Sequence, residues 1–331
     1  MSRADAAAAI LVAGATLYAV FGGADFGAGV WQLLSRREDD GLRGRIEARI
    51  SHSLGPVWEA NHVWLIFALV VLWTAFPPAF GPIMETLYLP LALAALGIVL
   101  RGSGFAFGHV LSDAAGRRSN DAFAVSSLIT PFFMGCVVGA IAAGDVEAEG
   151  TGSALGWVGP LPILIGILFV VSCAYIASVF LLDDCRRAGD EELAGYFARR
   201  ALGAAVAAGA LAAAGLVVLR LDARYVFDGL VDEGLPFVVA SALLGVVTLV
   251  GLARGWARAL RPLAIGAVAM VVCGWAAAQY PYLLPQSLTV QDGAGAEPTL
   301  LAVIIVFGAA LVTVVPSLAL LYRLAQRQAL E

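Results

Sequence analysis

The sequence predicts an all-α, polytopic membrane protein. Hydrophobic residues occupy 60% of the 331 positions and charged residues only 14%, whereas a soluble globular chain carries roughly 25% charged residues. The mean hydropathy is +0.87, and the apolar residues form long runs without period-two alternation. Such runs indicate helices, because an open sheet edge in lipid would leave its backbone hydrogen-bonding groups unpaired.

Nine apolar segments are near or above the length of about 20 residues that a spanning helix needs. Their approximate bounds are 7–34, 54–76, 86–109, 122–143, 158–182, 200–219, 235–253, 262–284 and 299–322. The connections between them are too short for a soluble domain, so residues 1–331 are expected to form a single transmembrane domain. An even division gives a first four-helix unit over about 1–143, a second over about 158–284, and a ninth helix over about 299–322.

The arginines indicate how the chain is oriented. All 20 cationic residues are arginine; 16 of them lie in one alternate set of loops and the C-terminal tail, and two lie in the other set. Cytoplasmic loops are the ones enriched in basic residues. The N-terminus is therefore predicted to be outside and the C-terminus cytoplasmic, as an odd number of spans requires.

Several functional classes are not expected from this sequence. There is no basic tract with interleaved aromatic residues, so we do not expect nucleic-acid binding. The P-loop, GxSxG and zinc motifs of self-contained enzymes are absent from the sequence. The four cysteines have no metal-ligand spacing and are interpreted as small buried hydrophobic residues.

Four ionisable residues interrupt the first three apolar segments at similar depth. Asp25 lies about nine residues from the inner end of segment one, Glu59 and His62 about five and eight residues inside segment two, and Arg101 about eight residues from the inner end of segment three. At 1.5 Å per residue these positions are roughly 8–14 Å from the inner surface. Short connections predict that the three helices are neighbours and that the four side chains form one cluster.

Two interpretations of this cluster remain open. Charged groups inside a membrane are costly and are usually functional. Arg101 could keep one carboxylate ionised, while a second carboxylate nearby would tend to keep its proton, because like charges and desolvation disfavour its ionised form. The cluster is then a proton relay that includes Glu59 and His62 on one helix face, with Asn61 rotated about 100° away. The alternative is a salt bridge from Arg101 to Asp25 or Glu59 that only fastens the helices.

The histidines do not predict a haem site in this chain. A bis-histidine haem needs two histidines on facing helices at matching depth. His62 is well inside its segment, whereas His109 lies at the membrane boundary and His52 lies in an arginine-rich loop.

Several motifs resemble those of subunit II of the cytochrome bd-type quinol oxidases. The stretch Gly23-Ala24-Asp25-Phe26-Gly27-Ala28-Gly29 is similar to that family's DGFDLGVG motif in its first helix. The second segment is similar to the family's P-x-W-D-G-N-E-V-W-L, and it reads Pro56-Val57-Trp58-Glu59-Ala60-Asn61-His62-Val63-Trp64-Leu65. Further likenesses are found at Ala75-Phe76-Pro77, at Arg101-Gly102-Ser103-Gly104-Phe105 and in the outer stretch from Pro285 to Pro298.

The resemblance implies a haem-free subunit II of a cyanide-insensitive-like bd-type oxidase in the bacterial cytoplasmic membrane. It implies two four-helix bundles with a peripheral ninth helix. It also implies a partner, the haem-bearing subunit I, which holds haem b and haem d-type groups and couples quinol oxidation to the reduction of oxygen to water. This chain would contribute a cytoplasmic proton path through Glu59, Asp25 and Arg101. A structural quinone and a small single-helix accessory subunit are further possibilities that the resemblance implies.

The sequence departs from the family motifs at four positions in this region. Gly22 stands where the family has its first motif aspartate, and the helix-two Asp-Gly is Glu59-Ala60. His62 replaces the usual Glu or Gln, and Ala106 replaces an acidic residue. We expect a path with fewer carboxylates, rerouted through His62 and water.

Two functions outside this family also remain open. A proton-coupled secondary transporter could use the same ionisable residues, and broken helices at the bilayer midplane would favour it. A purely structural membrane scaffold would support a catalytic partner without moving protons. The sequence does not distinguish ubiquinol from menaquinol as the electron donor.

Overall fold

The first apolar segment forms one long helical span in the computed structural model. The structure describes residues 2–54, 58–108, 114–150, 152–256 and 258–326. It describes the side chains of these residues except at 54, 58–60, 104–108, 114–122 and 322–326. The span runs from Arg3 to Arg37. Helix α1 (Arg3–Leu17) continues through a π-helical turn (Tyr18–Gly22) into α2 (Gly23–Leu34).

The rest of the chain is also almost entirely helical. In chain order the helices are α3 (Asp40–Leu54), α4 (Trp58–Ala75), α5 (Pro77–Thr86), α6 (Tyr88–Gly108), α7 (Ala114–Ala143), α8 (Pro160–Arg187), α9 (Glu191–Asp222), α10 (Arg224–Val231), α11 (Leu235–Ala253), α12 (Leu260–Gln279) and α13 (Glu297–Gln326). One antiparallel hairpin joins α12 to α13 and consists of β1 (Tyr282–Leu284) and β2 (Leu288–Thr289).

The prediction of an all-α, multi-pass membrane protein is confirmed at this level. Each of the nine predicted segments contains a helix. Within the described residues, seven helical stretches are long and apolar enough to span a bilayer, or eight if α4 and α5 are counted as one bent span. The apolar part of α6 that meets this test is shorter, Tyr88–Ser103. The count of nine spans and their orientation therefore stay predictions.

Proline ends two helices, and at one of them the sequence alone suggested a later boundary. The span predicted over 262–284 stops at Gln279, because Pro281 disfavours helical geometry at the residue before it; residues 282–284 instead form β1. Pro77 ends α4 in the same way, and α5 leaves the axis of α4 at 119°.

Three of the predicted connections contain helices. Helix α3 lies in the arginine-rich stretch 35–53, α5 in 77–85 and α10 in 220–234. In α3, Ile46 and Ile50 are four residues apart and buried, so they form one apolar face on a polar helix. This face packs against the core of α2, α8 and α9, which the loop interpretation did not predict.

An ion-pair network attaches α3 to the start of α9. Asp190 caps α9 by accepting a hydrogen bond from the backbone N–H of Leu193 at 3.1 Å. Arg45 of α3 lies 2.7 Å from Asp190 and 2.6 Å from Glu192. The backbone hydrogen bond and then Arg45 hold the pKa of Asp190 below its usual value.

The core is built around α2, which lies between α7 and α8. The two halves of the chain are thus packed together. Glycines allow the close approach: a Cβ at Gly27 would overlap the carbonyl group of Cys173 in α8, and a Cβ at Gly29 would overlap the hydroxyl of Ser127 in α7. This is the small-residue packing expected between membrane helices.

The outer surface of the helices is apolar, as a lipid-facing surface must be. Helix α13 is the most exposed span, with 6% of its apolar window buried. It packs against α1 and α4, where Phe307 stacks on Phe67 with ring centroids 5.7 Å apart.

Gly27→Ala is expected to destabilise the protein strongly, because the new methyl group meets a backbone carbonyl that cannot rotate away. Overpacking of this kind costs about 1–3 kcal/mol or more. The matched control is Gly245→Ala in α11, where a Cβ would meet nothing within 4 Å; it should be neutral or slightly stabilising, by up to about 1 kcal/mol. Thermal unfolding of the purified protein measures both. Equal melting temperatures for the two variants would contradict this packing.

Candidate functional site

The polar centre of the bundle is an ion pair between α2 and α6. Asp25 and Arg101 are both completely buried. The Nε of Arg101 donates a hydrogen bond to Asp25 Oδ2 at 2.9 Å, and Nη2 lies 2.8 Å from Oδ1. Nη2 also donates to the backbone carbonyl of Asp25 at 2.7 Å. The guanidinium therefore contacts three oxygen atoms of a single residue.

Helix α7 completes the surroundings of Arg101. Nη1 donates to the hydroxyl of Ser127 at 2.5 Å, and this hydroxyl donates in turn to the carbonyl of Phe123 at 2.8 Å. The rings of Phe123 and Phe26 lie 4.1 and 5.0 Å from the guanidinium carbon. Hydrogen bonds and aromatic faces thus replace the water that the cation loses on burial.

This arrangement corrects one part of the prediction that the first three segments are neighbours. Segments one and two do contact each other through α1 and α4, but the third segment packs elsewhere. Helix α6 packs chiefly against α7, while α2 packs against α7 and α8. The ion pair forms because Arg101 is long enough to reach Asp25 past α7. The sequence positions of the two residues indicated a common depth. Their side chains do contact each other, although α7, from later in the chain, packs between the helices that carry them.

His62 of α4 lies on the other side of Asp25. Its Nδ1 is 3.9 Å from Asp25 Oδ2, which is longer than a direct hydrogen bond and is a separation that one water molecule can bridge. The imidazole contacts the rings of Phe26 and Tyr18 edge to face, with centroids 5.6 and 6.4 Å apart. A proton on this imidazole would face the Asp25 carboxylate.

The other two predicted residues are also on α4. Asn61 is buried, with 3% of its surface exposed. Glu59 belongs to the first turn of α4, three residues before His62, and its side chain lies outside the described part of the structure. The structure therefore brings together Asp25, His62 and Arg101, and the position of the Glu59 carboxylate stays a prediction.

Tyr18 is a site residue that the sequence interpretation missed. Its ring lies over Gly22, where an added Cβ would come within 2.7 Å of it. Its buried hydroxyl has no hydrogen-bond partner within the described residues. Gly22 thus leaves the space that the Tyr18 ring fills. The available signal was the i, i+4 spacing of Tyr18 and Gly22 on one helix face.

The two histidines that the structure describes do not form a facing pair that a haem would need. His62 is enclosed by Asp25, Phe26 and Tyr18, and His52 lies on the exposed surface of α3. His109 falls outside the described residues. In the parts of the chain that the structure describes, no three His, Cys, Asp or Glu side chains are grouped as metal ligands would be.

The geometry divides the cluster into a fixed ion pair and a histidine beside it. Asp25 and Arg101 neutralise each other and are held by several short contacts, which makes them a rigid anchor. His62 has one edge towards this anchor and can carry a proton between its two ring nitrogens. Apolar membrane helices around a buried, charge-neutral anchor and a histidine define a multi-pass membrane protein with an intramembrane polar site.

The chain belongs to the cytochrome bd terminal oxidase subunit II family, whose model matches residues 4–325. The resemblance seen in the motifs is thereby confirmed. The structure is similar to that of the bd oxidase from Geobacillus thermodenitrificans, with a TM-score of 0.76, 28% sequence identity and 98% of both chains covered.

Two relatives from Bacillus subtilis support the same family. Cytochrome bd ubiquinol oxidase subunit 2 is 31% identical over 86 residues, which are 26% of this chain and only 24% of that protein. A second protein, assigned as a cytochrome bd menaquinol oxidase subunit II, is 22% identical over 250 residues, 71% of this chain and 68% of that protein.

Arg101→Met should destabilise the protein, because it leaves the Asp25 carboxylate buried without its partner. Breaking a buried pair in this way costs about 3–5 kcal/mol. The double variant Asp25→Leu with Arg101→Met removes both charges and should recover most of the lost stability. Thermal unfolding measures both effects.

The control for this pair is Arg45→Met, which removes an arginine from a half-exposed ion pair and should cost about 1 kcal/mol or less. If Arg101→Met unfolded at the same temperature as Arg45→Met, the buried pair would not be the anchor of the bundle.

Proposed function

We propose that this chain is the haem-free subunit II of a bd-type terminal quinol oxidase and that it supplies a cytoplasmic proton path. Family membership supports the complex, and one observation supports the path: a histidine lies 3.9 Å from a carboxylate that a buried arginine neutralises. The reaction of the complex would be quinol oxidation coupled to the reduction of oxygen to water.

In this proposal the redox cofactors belong to the partner. The haem-bearing subunit I would hold haem b and haem d-type groups, which supply the site of oxygen reduction. The described histidines of this chain offer no facing pair for a haem. The role of this chain is then to pass protons from the cytoplasm towards its partner.

The proposed membrane arrangement follows the arginine distribution. Nine spans, an N-terminus outside and a C-terminus in the cytoplasm put the end of α2 and the start of α4 on the cytoplasmic side of a bacterial inner membrane. The residues from 36 to 49 include five arginines. Protons would therefore enter near α3 and meet Glu59 first and His62 about one helical turn later.

Each residue of the cluster has a distinct part in the proposed path. Glu59 collects a proton near the cytoplasmic entrance. His62 takes it up at one ring nitrogen and releases one from the other; its charge is then restored, and a ring flip or exchange with water returns the original tautomer before the next transfer. The Asp25 carboxylate lies beside the imidazole and would stabilise its transient positive charge, and Arg101 holds Asp25 in place. Asn61 is proposed to orient the start of α4 beside this path.

The structure gives less support to a proton-coupled transporter. Such a protein would be expected to break a helix at its polar site. The break between α4 and α5 lies at Phe76, 14 residues after His62 and thus about 21 Å away along the helix. The span that carries Asp25 is continuous from Arg3 to Arg37. A purely structural scaffold remains as the second alternative, and the variants described below distinguish it.

A structural quinone is not supported by the apolar cavity between α7 and α8. The cavity has a volume of about 320 Å³. Its walls consist only of aliphatic and aromatic side chains: Leu128, Ile129, Phe132, Phe133, Ile167, Val170 and Val171. It suits an isoprenoid or acyl tail, but no wall side chain can donate a hydrogen bond to a quinone carbonyl. A quinone, the type of quinol and a small single-helix accessory subunit stay expectations from the family.

Glu59→Gln should lower quinol-dependent oxygen consumption by about tenfold or more, equivalent to about 1.4 kcal/mol in the limiting barrier, because the amide cannot take up a proton. The complex should still purify intact with its partner. The matched control is Glu85→Gln, an exposed glutamate on the predicted outer side, which should leave turnover unchanged. Unchanged turnover in Glu59→Gln would leave the scaffold as the better explanation.

His62→Gln should also slow turnover, but less than Glu59→Gln, because glutamine can still hold a bridging water although it cannot carry a proton. The expected signature is a larger solvent deuterium isotope effect on oxygen consumption than in the wild type. A variant with the wild-type rate and the wild-type isotope effect would exclude His62 from the path.

A further inference from the structure

A basic cavity lies between the C-terminal end of α8 and the start of α12, away from the Asp25 cluster. Its volume is about 450 Å³. Four of its wall residues are arginines, and the complete lining is Leu182, Asp183, Arg186, Arg187, Arg258, Ala259, Leu260, Arg261 and Pro262. The lining comes from two separate helices and the turn before α12, so tertiary packing creates the cavity.

The cavity carries a surplus of positive charge. Arg187 lies 2.8 Å from Asp183, and Arg261 lies 3.1 Å from Asp183 and 2.6 Å from Asp184. These two arginines and two aspartates compensate each other. Arg186 and Arg258 have no carboxylate partner within the described residues, so two positive charges remain to face the cavity.

Contacts with uncharged groups hold the arginines in place. Arg186 Nη1 donates to the backbone carbonyl of Trp256 at 2.5 Å, which joins α8 to the turn before α12. Arg261 Nη2 donates to the carbonyl of Phe180 at 2.9 Å, and the guanidinium lies 4.7 Å from the ring of Phe180. Because these bonds leave the cationic charge intact, an anion would meet Arg186 and Arg261 already held in position.

The backbone adds donors to the same place. Helix α12 begins at Leu260, and the preceding residue, Ala259, has a left-handed conformation (φ 72°) and provides no side-chain cap. The backbone N–H groups of Leu260 and Arg261 therefore have no side-chain cap, Pro262 has no N–H, and the positive end of the helix dipole adds to the arginine charge.

The surroundings favour an amphiphilic ligand. Leu182, Leu260 and Pro262 form an apolar part of the wall, and Trp256 nearby is 37% exposed, as an aromatic residue at the membrane interface is. All four arginines belong to loops predicted to be cytoplasmic. Basic pockets between membrane helices on this side suit the phosphate groups of anionic lipids.

We propose that this cavity binds the phosphate group of an anionic phospholipid of the cytoplasmic leaflet. Arg258 and Arg186 contact the phosphate, Arg261 and Arg187 form the walls with their aspartates, and the acyl chains lie along the apolar side. The site joins α8 to α12 and so would stabilise the second half of the bundle. The proposal does not depend on the proton path.

Native mass spectrometry of the purified complex, titrated with phosphatidylglycerol or phosphatidylcholine, tests this site. Wild-type protein should bind phosphatidylglycerol more tightly than phosphatidylcholine. Arg258→Gln should weaken phosphatidylglycerol binding about fivefold. The double variant, Arg186→Gln with Arg258→Gln, should bind this lipid about fivefold more weakly than the single variant. The matched control is Arg254→Gln, an exposed arginine in the same turn that does not line the cavity.

The outcomes separate the possible ligands. Loss of lipid binding in the cavity variants but not in Arg254→Gln supports the proposal. Equal weakening in all three variants means general surface attraction and overturns it. Competition by millimolar inorganic phosphate without a preference for the lipid would identify a free phosphate site and overturn the lipid assignment. Loss of the partner subunit at unchanged lipid binding would identify a docking surface and would also overturn it.

Discussion

The burial of Arg101 against Asp25 is the constraint on which the rest of the structure depends. A guanidinium and a carboxylate with no solvent exposure can persist inside a membrane only if their charges and hydrogen-bonding groups are satisfied together. Five groups surround the guanidinium: the Asp25 side chain and carbonyl on α2, the Ser127 hydroxyl on α7, and the aromatic rings of Phe26 and Phe123. These contacts fix the separation of α2, α6 and α7.

The glycines of α2 follow from the same constraint. For Ser127 to reach Arg101, α7 must approach α2 so closely that position 29 has no room for a Cβ atom, and the packing of α8 on the opposite face leaves none at position 27. The glycine-rich motif and the ion pair are therefore two parts of one arrangement, in which close helix contact excludes lipid and water from the charges. Gly22 has a different role, since it accommodates the ring of Tyr18.

The division of the cluster into a rigid anchor and a nearby histidine sharpens the choice between a clamp and a relay. Asp25 and Arg101 are bound too closely to each other to be the mobile part of a proton path. The Nδ1 atom of His62 is 3.9 Å from the carboxylate. This distance is short enough for electrostatic interaction but too long for a direct hydrogen bond. The pair is then a structural clamp, and in the proposed path it would also place a fixed negative charge beside His62, so the two interpretations are compatible.

Much of this protein could be predicted from its sequence, because in a membrane the requirement for internal backbone hydrogen bonds turns long apolar runs into helices. The helix in each apolar segment, the shared depth of Asp25, His62 and Arg101, and the family followed from residue patterns. Only the tertiary structure decided that α7 lies between α2 and α6, that Tyr18 fills the space over Gly22, and that arginines of α8 and α12 line one cavity. These features depend on contacts between residues far apart in the chain, and the local periodicity of a sequence does not specify which helix faces another.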